Sequence, residues 1–328
     1  MLFSLKQEAP ASIGGSTFTM LCSYNLQSTF AFLSFYDPAT TPWIIGAVEA
    51  VLVGYCLLGG GTRIIRATST LVPLMGVIYI SVAFILTLMH IDMLPTVISN
   101  IFSEAFDFTA IFGGFAGSCM MYGIKRGLYS NEAGVGSAPN AAAAAHVSHP
   151  VKQGLVQMLS VFIDTLLICT ATAFMCLSSG VQPTKELAGA PYVQAALAAT
   201  MGDNAQLFIT VSMVLFAFTT LLGNLYYVDN AFTYILKSIP GPAFMRCYHL
   251  LACVLIFIGA GSSMGTMWDL ADVTMGFMAI INLPVICILG GPALRALDDY
   301  VKQREAGKNP EFKASAIGLT QKVDYWQD

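Results

Sequence analysis

The chain of 328 residues is 56% hydrophobic and only 10% charged, and its mean hydropathy is +0.69. A soluble domain carries about 25% charged residues, so this composition excludes an ordinary soluble protein and predicts an all-α integral membrane protein. The formal net charge of −4 leaves no basic surface, and we therefore expect a lipid bilayer rather than a nucleic acid around the chain.

The N-terminus has no signal-peptide pattern, because MLFSLKQEAP reaches acidic and proline positions without a continuous apolar core. We therefore expect no cleaved leader. A helix that crosses the hydrocarbon core needs about 20 mostly apolar residues. Eight stretches meet this requirement, and none contains Lys or Arg: 14–35, 42–60, 70–89, 108–124, 154–177, 205–225, 247–262 and 273–291. The sequence thus predicts about eight transmembrane helices.

Positive charge occurs in alternate connections between these stretches, marked by Arg63, Arg126 and Lys237, and only Lys185 breaks the pattern. The connections around Asp37 and Trp268–Asp272 contain no Lys or Arg. By the positive-inside rule, the positively charged connections and both chain termini are predicted to be cytoplasmic. The expected localisation is therefore multi-pass in the cell membrane.

Two segments outside the predicted spans have patterns of their own. Apolar residues recur on one side of Pro95–Phe106, which is too short to span and suits a helix at the outer surface. From Arg295 onward, twelve of the last 34 residues are charged with mixed sign. This composition predicts a solvated cytoplasmic tail, with a partner-binding tail as the alternative. The predicted organisation is a transmembrane domain, 1–294, followed by a charged tail, 295–328.

The fourth stretch is glycine-rich, with Gly113, Gly114 and Gly117 in its first half. Each glycine in a helix costs about 1 kcal/mol relative to alanine, so this cluster predicts a local break or a very close helix contact. A break frees backbone groups, which many transporters use to bind substrate and cation. Close packing through Gly113 and Gly117 is the alternative.

The segment KRGLYSNEAGVGSAPNAAAAAHVSHPVKQG follows directly. It lacks the GxxxxGK and GxGxxG patterns, so phosphate binding has no support. Ser130, Asn131 and Glu132 suit the cap of the alanine-rich helix that follows. Capping leaves most of the segment's polarity without an explanation.

Ionisable and amide side chains inside spans are costly and are therefore candidates for function. Asp164 and Glu49 lie in the middle of predicted spans. For Asp164 the alternative is a structural residue that neighbouring helices satisfy. The adjacent Thr219 and Thr220 offer oxygens that suit a hard cation such as sodium, although threonine also bonds the carbonyl one turn back. For Trp268 the alternative is an interfacial anchor.

Enzyme and transition-metal sites are not expected. The sequence has no HExxH motif, and its eight cysteines lie in apolar runs without a CxxC pair. These cysteines fit small buried apolar residues rather than a disulfide scaffold.

Longer segments carry a family resemblance. RGLYSNEAGVGSAPNAAAA and HPVKQGLVQMLSVFIDTLLICTATAF follow each other, and NLQSTF, GGGTRIIRATSTLVPLMGVIY, FAFTTLLGNLYY and WDLADVTMGFMAIINLP occur in order around them. Together they resemble the alanine or glycine:cation symporter (sodium:alanine symporter) family, over nearly the whole chain to about residue 292.

The resemblance implies most of a five-plus-five inverted-repeat, leucine-transporter-like core. Members of this family have eleven spans and an outside N-terminus. By this resemblance, the chain holds the last three spans of the first repeat, 1–90, and the whole second repeat, 108–292, and lacks the N-terminal spans. Eight spans that begin in the cytoplasm agree with the orientation predicted from charge.

The resemblance also implies a function: symport of a small neutral amino acid, alanine or glycine, with sodium as the coupling ion and no cofactor. The substrate-binding residues it implies are Gly113, Gly114, Gly117, Gln27 and Trp268. Thr219 and Thr220 would bind the cation. The implied gate or structural motif consists of Arg126, Ser130, Asn131, Glu132, Gly134 and Asp164.

Three rival hypotheses stay open beside symport by alternating access. The first is an N-terminally truncated, transport-incompetent fragment of such a symporter. The second is a membrane-embedded enzyme, and the third is a passive channel. The residues also leave open alanine, glycine or serine as substrate, sodium or proton as coupling ion, and the oligomeric state.

Overall fold

The computed structural model describes residues 15, 17–58, 61–107, 119–143, 145–184, 187–202, 204–319 and 326, without the side chains of 61–67, 119 and 141. This part of the chain is helical and contains no β-strand. The helices are α1 (17–28), α2 (Thr41–Leu58), α3 (Gly61–Met89), α4 (Leu94–Ala105), α5 (Cys119–Asn131), α6 (Ala138–Ala143), α7 (Pro150–Ser178), α8 (Ala190–Met201), α9 (Asn204–Leu236), α10 (Pro242–Ala260) and α11 (Met264–Glu305). Two short 3-10 turns, Ile91–Met93 and Ala314–Ile317, complete the list.

Six of the described helices are long and apolar enough to cross a membrane: α2, α3 over Thr68–Met89, α7, α9, α10 and α11. This confirms an all-α, multi-pass membrane protein. The predicted span 14–35 contains α1, which ends at residue 28. Most of the predicted span 108–124 lies outside the described residues. Eight spans, the inverted repeat and the orientation stay predictions.

Two predicted connections are shorter than expected because the helices continue into them. Lys125 and Arg126 lie inside α5, and Trp268–Asp272 lies inside α11. α11 begins at Met264, where the Ser263 hydroxyl accepts a hydrogen bond from the Thr266 N–H. Hydropathy marks only the apolar part of a helix, and these helices continue into polar sequence. Pro95–Phe106 does form a helix, α4.

Three apolar clusters hold the helices together. The first joins α2, α9 and α10 around Val53 and Leu225, both fully buried. The second joins α1 to α11 around Leu21 and Met275. The third joins α3, α7, α8 and α9 around Leu197. α9 belongs to two of these clusters and is therefore central to the bundle.

Glycines bring α1, α2 and α10 into close contact. A Cβ on Gly46 of α2 would lie only 2.6 Å from the Cβ of Ala260, and a Cβ on Gly259 of α10 would lie 2.5 Å from the Cα of Met20 in α1. Helices pack this closely in membranes through small residues, because lipid supplies no hydrophobic force between them.

The outer faces of the helices are apolar. Val51, Leu250 and Ile280 are about 70% exposed, with values of 71%, 68% and 70%. In water such side chains would favour aggregation, but against lipid tails they are well solvated. The pattern agrees with a bilayer around the bundle.

α7 is interrupted by a π-helical segment, Asp164–Cys169. Such segments insert an extra residue into a helical turn and are frequent at functional sites. The π segment starts at the ionisable residue that the sequence singled out in this span.

The end of the chain folds back onto the start of α7. Phe312 and Ile317 are buried with Ala296 of α11, and Val151 packs against them. The Phe312 N–H donates a hydrogen bond of 2.9 Å to the Ser148 carbonyl. The segment thus packs through its few apolar side chains, whereas its charged residues are exposed. The predicted boundary at 294 falls inside α11.

Candidate functional site

A cavity of about 670 Å³ lies between α3, the α5–α6 turn, α7 and α9. Its walls carry hydroxyl, amide and carboxyl groups together with four apolar side chains larger than alanine and two tyrosines. The lining residues are Thr68, Val72, Met75, Ser130, Asn131, Glu132, Ala138, Gln157, Ser160, Val161, Asp164, Phe216, Thr219, Thr220, Gly223, Asn224, Tyr226 and Tyr227. No Lys, Arg or His is among these described lining residues.

Hydrogen bonds between α5 and α7 form one wall of this cavity. The Ser130 hydroxyl donates to Asp164 Oδ2 at 2.7 Å, and the Asn131 amide donates to the Thr165 hydroxyl at 3.1 Å. Both acceptors lie in the π segment of α7. Ser130 and Asn131 are the last residues of α5, so the predicted capping of the following helix is wrong. The Asn131 side chain instead accepts from the Ala133 N–H at 2.9 Å.

The turn after α5 carries Glu132 into the cavity wall. Glu132 has a positive φ of 53°, and Gly134 and Gly136 follow with φ of 80° and 112°. The Ser137 hydroxyl donates to the Glu132 carboxyl. The Asn282 amide of α11 donates to the Gly134 carbonyl at 2.9 Å and fixes the turn. Gly134 therefore has a structural role, since its positive φ forms the turn and its carbonyl accepts the bond from Asn282.

Burial raises the pKa of the Glu132 carboxyl, and the nearby Asp164 raises it further, whereas the hydrogen bond from Ser137 acts in the opposite direction. The two carboxyl groups face the same cavity, and its described walls offer them no basic partner. A positively charged guest would therefore stabilise their ionised forms.

The two threonines predicted to bind the cation both line the cavity. Thr219 is buried, and its hydroxyl donates to the Leu215 carbonyl of its own helix at 2.9 Å, the alternative considered for this residue type. Thr220 is exposed towards the cavity. A hydroxyl that donates its proton keeps its lone pairs, so this bond leaves Thr219 able to bind a cation through oxygen.

The substrate-binding residues implied by the resemblance are not brought together in the described part of the chain. Gln27 is buried away from the cavity, and its Oε1 accepts from the Tyr36 hydroxyl at 2.7 Å. Trp268 is also absent from the lining. Gly113, Gly114 and Gly117 lie outside the described residues.

Trp268 belongs to a charged and aromatic cluster between α5 and α11. The Arg126 guanidinium lies 4.0 Å above its ring and forms two hydrogen bonds, of 3.1 and 3.2 Å, with the Asp272 carboxylate. The Lys125 amine lies 2.5 Å from the same carboxylate. The Tyr129 ring packs 5.0 Å from the Trp268 ring. These contacts contradict loops on opposite membrane surfaces for Arg126 and Asp272.

The sequence did not single out four residues that line or support the cavity or belong to the cluster around Arg126. Gln157 and Asn282 are amides inside predicted spans, which is the signal that singled out Gln27, and they should have been included. Asp272 could not be paired with Arg126 because 146 positions separate them. Tyr227 carried no signal, because a tyrosine near a span end is an ordinary interfacial residue.

Two other chemical patterns do not form sites in the described residues. Gly261–Gly265 has GxSxG spacing, but Ser263 begins α11 as its cap and bonds Thr266. The described side chains contain no group of three or more His, Cys, Asp and Glu residues that suits a metal ion. The cavity of about 670 Å³ has room for a small polar guest.

Comparison with known proteins identifies the family. The model of the sodium:alanine symporter family matches residues 11–314. The amino-acid carrier protein AlsT of Bacillus subtilis is 41% identical over 285 residues, which are 87% of this chain and 60% of AlsT. The putative sodium/proton-dependent alanine carrier protein YrbD of the same species is 37% identical over 300 residues, 88% of this chain and 62% of YrbD.

A third relative is named for another substrate. The probable sodium/glutamine symporter GlnT of Bacillus subtilis is 38% identical over 303 residues, which are 92% of this chain and 63% of GlnT. These proteins are named as carriers and symporters, not as enzymes. The chain spans about three fifths of the length of these curated relatives. With a family match over most of its length, the chain belongs to the sodium:alanine symporter family.

Proposed function

We propose that this chain carries out, or supplies most of the machinery for, symport of a small neutral amino acid with sodium by alternating access. The observation that carries the proposal is the cavity lined by oxygen-bearing side chains, with two carboxyl groups and no basic residue among the lining side chains that the structure describes. Hydroxyl, amide and carboxyl oxygens suit sodium and the ammonium group of an amino acid alike. We propose alanine as the substrate because of family membership and because the relative YrbD is named as an alanine carrier.

In this proposal Thr219 and Thr220 are sodium ligands on α9. Asp164 and the α5 segment from Arg126 to Glu132 hold the bundle and its inner gate. Backbone groups at Gly113, Gly114 and Gly117 bind the substrate. We assign the substrate contacts of Gln27 and Trp268 to another conformation of the cycle, because neither residue lines the present cavity.

A second candidate is a transport-incompetent fragment of such a symporter. The observation that favours it is length, since the chain covers about three fifths of its curated relatives. A substrate site that is shared between two repeats loses part of its lining when spans of one repeat are missing.

Uptake into proteoliposomes that contain only this chain distinguishes the two. We expect labelled alanine to accumulate when sodium is present outside, and to do so less with potassium in its place. Uptake no greater than in empty liposomes would contradict transport by these 328 residues and favour the fragment. Counterflow excludes a passive channel, because only a carrier exchanges faster when unlabelled alanine is present on the opposite side.

Replacing Thr220 by alanine tests the cation site. Loss of one oxygen ligand is expected to raise the sodium concentration for half-maximal uptake by about tenfold, with a smaller change for alanine. Thr233→Ala is the matched control, since Thr233 lies on the same helix and bonds the Asp229 carbonyl outside the cavity. An unchanged sodium dependence in Thr220→Ala would contradict its role as a ligand.

A further inference from the structure

Glu49 is a buried carboxyl group that the proposed transport site does not use. It lies in the middle of α2 and is 4% exposed. α2 is one of the six helices that qualify as membrane spans. A carboxyl group in such a place is expensive, so its surroundings show which chemical form is stable.

The two oxygens of Glu49 have different surroundings. Oε2 is 2.5 Å from the Ser23 hydroxyl of α1. Oε1 is buried and has no hydrogen-bond partner among the described residues. No ion pair within the described side chains includes Glu49. An ionised carboxylate would thus keep a single hydrogen bond in exchange for its whole hydration shell.

An apolar cluster adjoins Glu49 on α2. The titratable groups that α1, α2, α9 and α10 bring to the adjoining apolar cluster are three thiols and two phenols: Cys22, Cys56, Cys253, Tyr226 and Tyr248. All five are ordinarily neutral near pH 7.

These contacts favour the neutral acid over the carboxylate. A buried carboxylate without a cation loses more solvation than one hydroxyl can return, whereas a carboxylic acid has one proton to donate and needs no counter-charge. We propose that Glu49 is a proton-binding site, which holds its proton while α1 is packed against α2 and releases it to water when the two helices separate.

The packing of α1 makes this release depend on conformation. The backbone of Met20 lies directly against Gly259 of α10, and Gly46 of α2 lies against Ala260. No water can enter between helices at such contact distances. Proton release therefore requires α1 to move. The protonated state itself stands without the proposed function, whereas its link to a transport cycle rests on that function.

Infrared spectroscopy of the purified chain in lipid nanodiscs tests the protonated state directly. The wild-type spectrum at neutral pH should contain a carboxylic-acid C=O band that Glu49→Gln lacks. Glu305→Gln, at the exposed end of α11, should retain the band and serves as the matched control. Identical wild-type and Glu49→Gln spectra in this region would overturn the proposal.

Ser23→Ala provides a second variant that keeps the carboxyl group. Removing its hydroxyl should shift the Glu49 band to higher frequency without abolishing it, because a hydrogen bond lowers the C=O stretching frequency. Loss of the band in Ser23→Ala, or no shift at all, would contradict the assignment to the pair at 2.5 Å.

Transfer to D2O tests the link to helix movement. The band should shift slowly in the chain alone and several-fold faster or slower when sodium and alanine are added together. A band that is insensitive to both solutes would refute the conformational link and leave the proton site in place. Absence of alanine uptake in liposomes, with the band present, would instead refute the proposed function.

Discussion

Arg126 has two partners at once. Its guanidinium forms a two-pronged ion pair with Asp272 and stacks on the Trp268 ring, while Lys125 also reaches the Asp272 carboxylate. A guanidinium is planar and forked, so it can stack on a ring and bind both carboxylate oxygens, whereas an ammonium group cannot reproduce that geometry. The position should therefore distinguish arginine from lysine even though the charge is the same.

Arg126→Lys is expected to lower the thermal stability of the detergent-solubilised chain by about 1 kcal/mol, since it removes the fork and the ring stacking but keeps the charge. Size-exclusion chromatography after heating measures the loss. Lys125→Gln should cost less, because it leaves the Arg126 contacts intact. A larger loss in Lys125→Gln than in Arg126→Lys would show that charge alone stabilises the cluster.

At the scale of helices, α1 and α2 both pack closely against α10 at glycine positions. Gly259 leaves no room for a side chain, because the Met20 backbone occupies the position of its Cβ. Backbone atoms cannot rotate away as a side chain can, so a clash between an added Cβ and the Met20 backbone is relieved only when a whole helix moves.

Gly259→Ala should therefore destabilise the chain by about 1–3 kcal/mol and push α1 away from α10. The change is measured as a lower melting temperature and as faster labelling of Cys22, which lies two residues after Met20 on α1. Gly276→Ala in α11 is the control, because no atom lies within 4 Å of its Cβ position. Equal melting temperatures for the two variants would contradict a steric role of Gly259.

Helices were the most predictable part of the fold, since apolar runs of span length report directly on burial in lipid. The ends of α5 and α11 were missed because polar residues such as Arg126 and Asp272 look like loop residues until a partner is known. The site was predicted in part. Thr219 and Asp164 were found as polar residues in apolar spans, whereas Gln27 proved to bond Tyr36, a pairing that no periodicity encodes.

At the scale of the whole molecule, segment 309–319 packs against the start of α7 through His149, whose ring lies 5.1 Å from the Phe312 ring. The ring is fully buried, accepts from the Val151 N–H through Nδ1, and has Nε2 at 3.3 Å from Asp299. Nδ1 is an acceptor here, so the neutral ring carries its proton on Nε2. Burial lowers the pKa of His149, against a smaller opposing effect of Asp299.

The packing of segment 309–319 against His149 should weaken in acid. A ring whose pKa is lowered when docked binds fewer protons docked than free, so docking is fully stable above the free histidine pKa of about 6.5. Its stability is lost as pH falls from that value through the lowered pKa of the docked ring. Hydrogen exchange of residues 309–319, corrected for its intrinsic pH dependence, should become several-fold faster.

Two variants separate His149 from general effects of acid. His149→Gln should show fast exchange at every pH, because the buried ring and its two bonds are gone. His146→Gln, three residues earlier and exposed, should behave as wild type. The same acid-induced release in His149→Gln as in wild type would assign the effect to another group.

The π segment of α7 has a mechanical consequence for the bundle. An extra residue turns everything after it by about 100° around the helix axis. The first half of α7 can therefore direct Gln157, Ser160 and Asp164 to the cavity, while Thr172 in the second half bonds Tyr79 of α3 at 2.8 Å. The two halves of α7 therefore have separate partners, the cavity for the first half and α3 for the second.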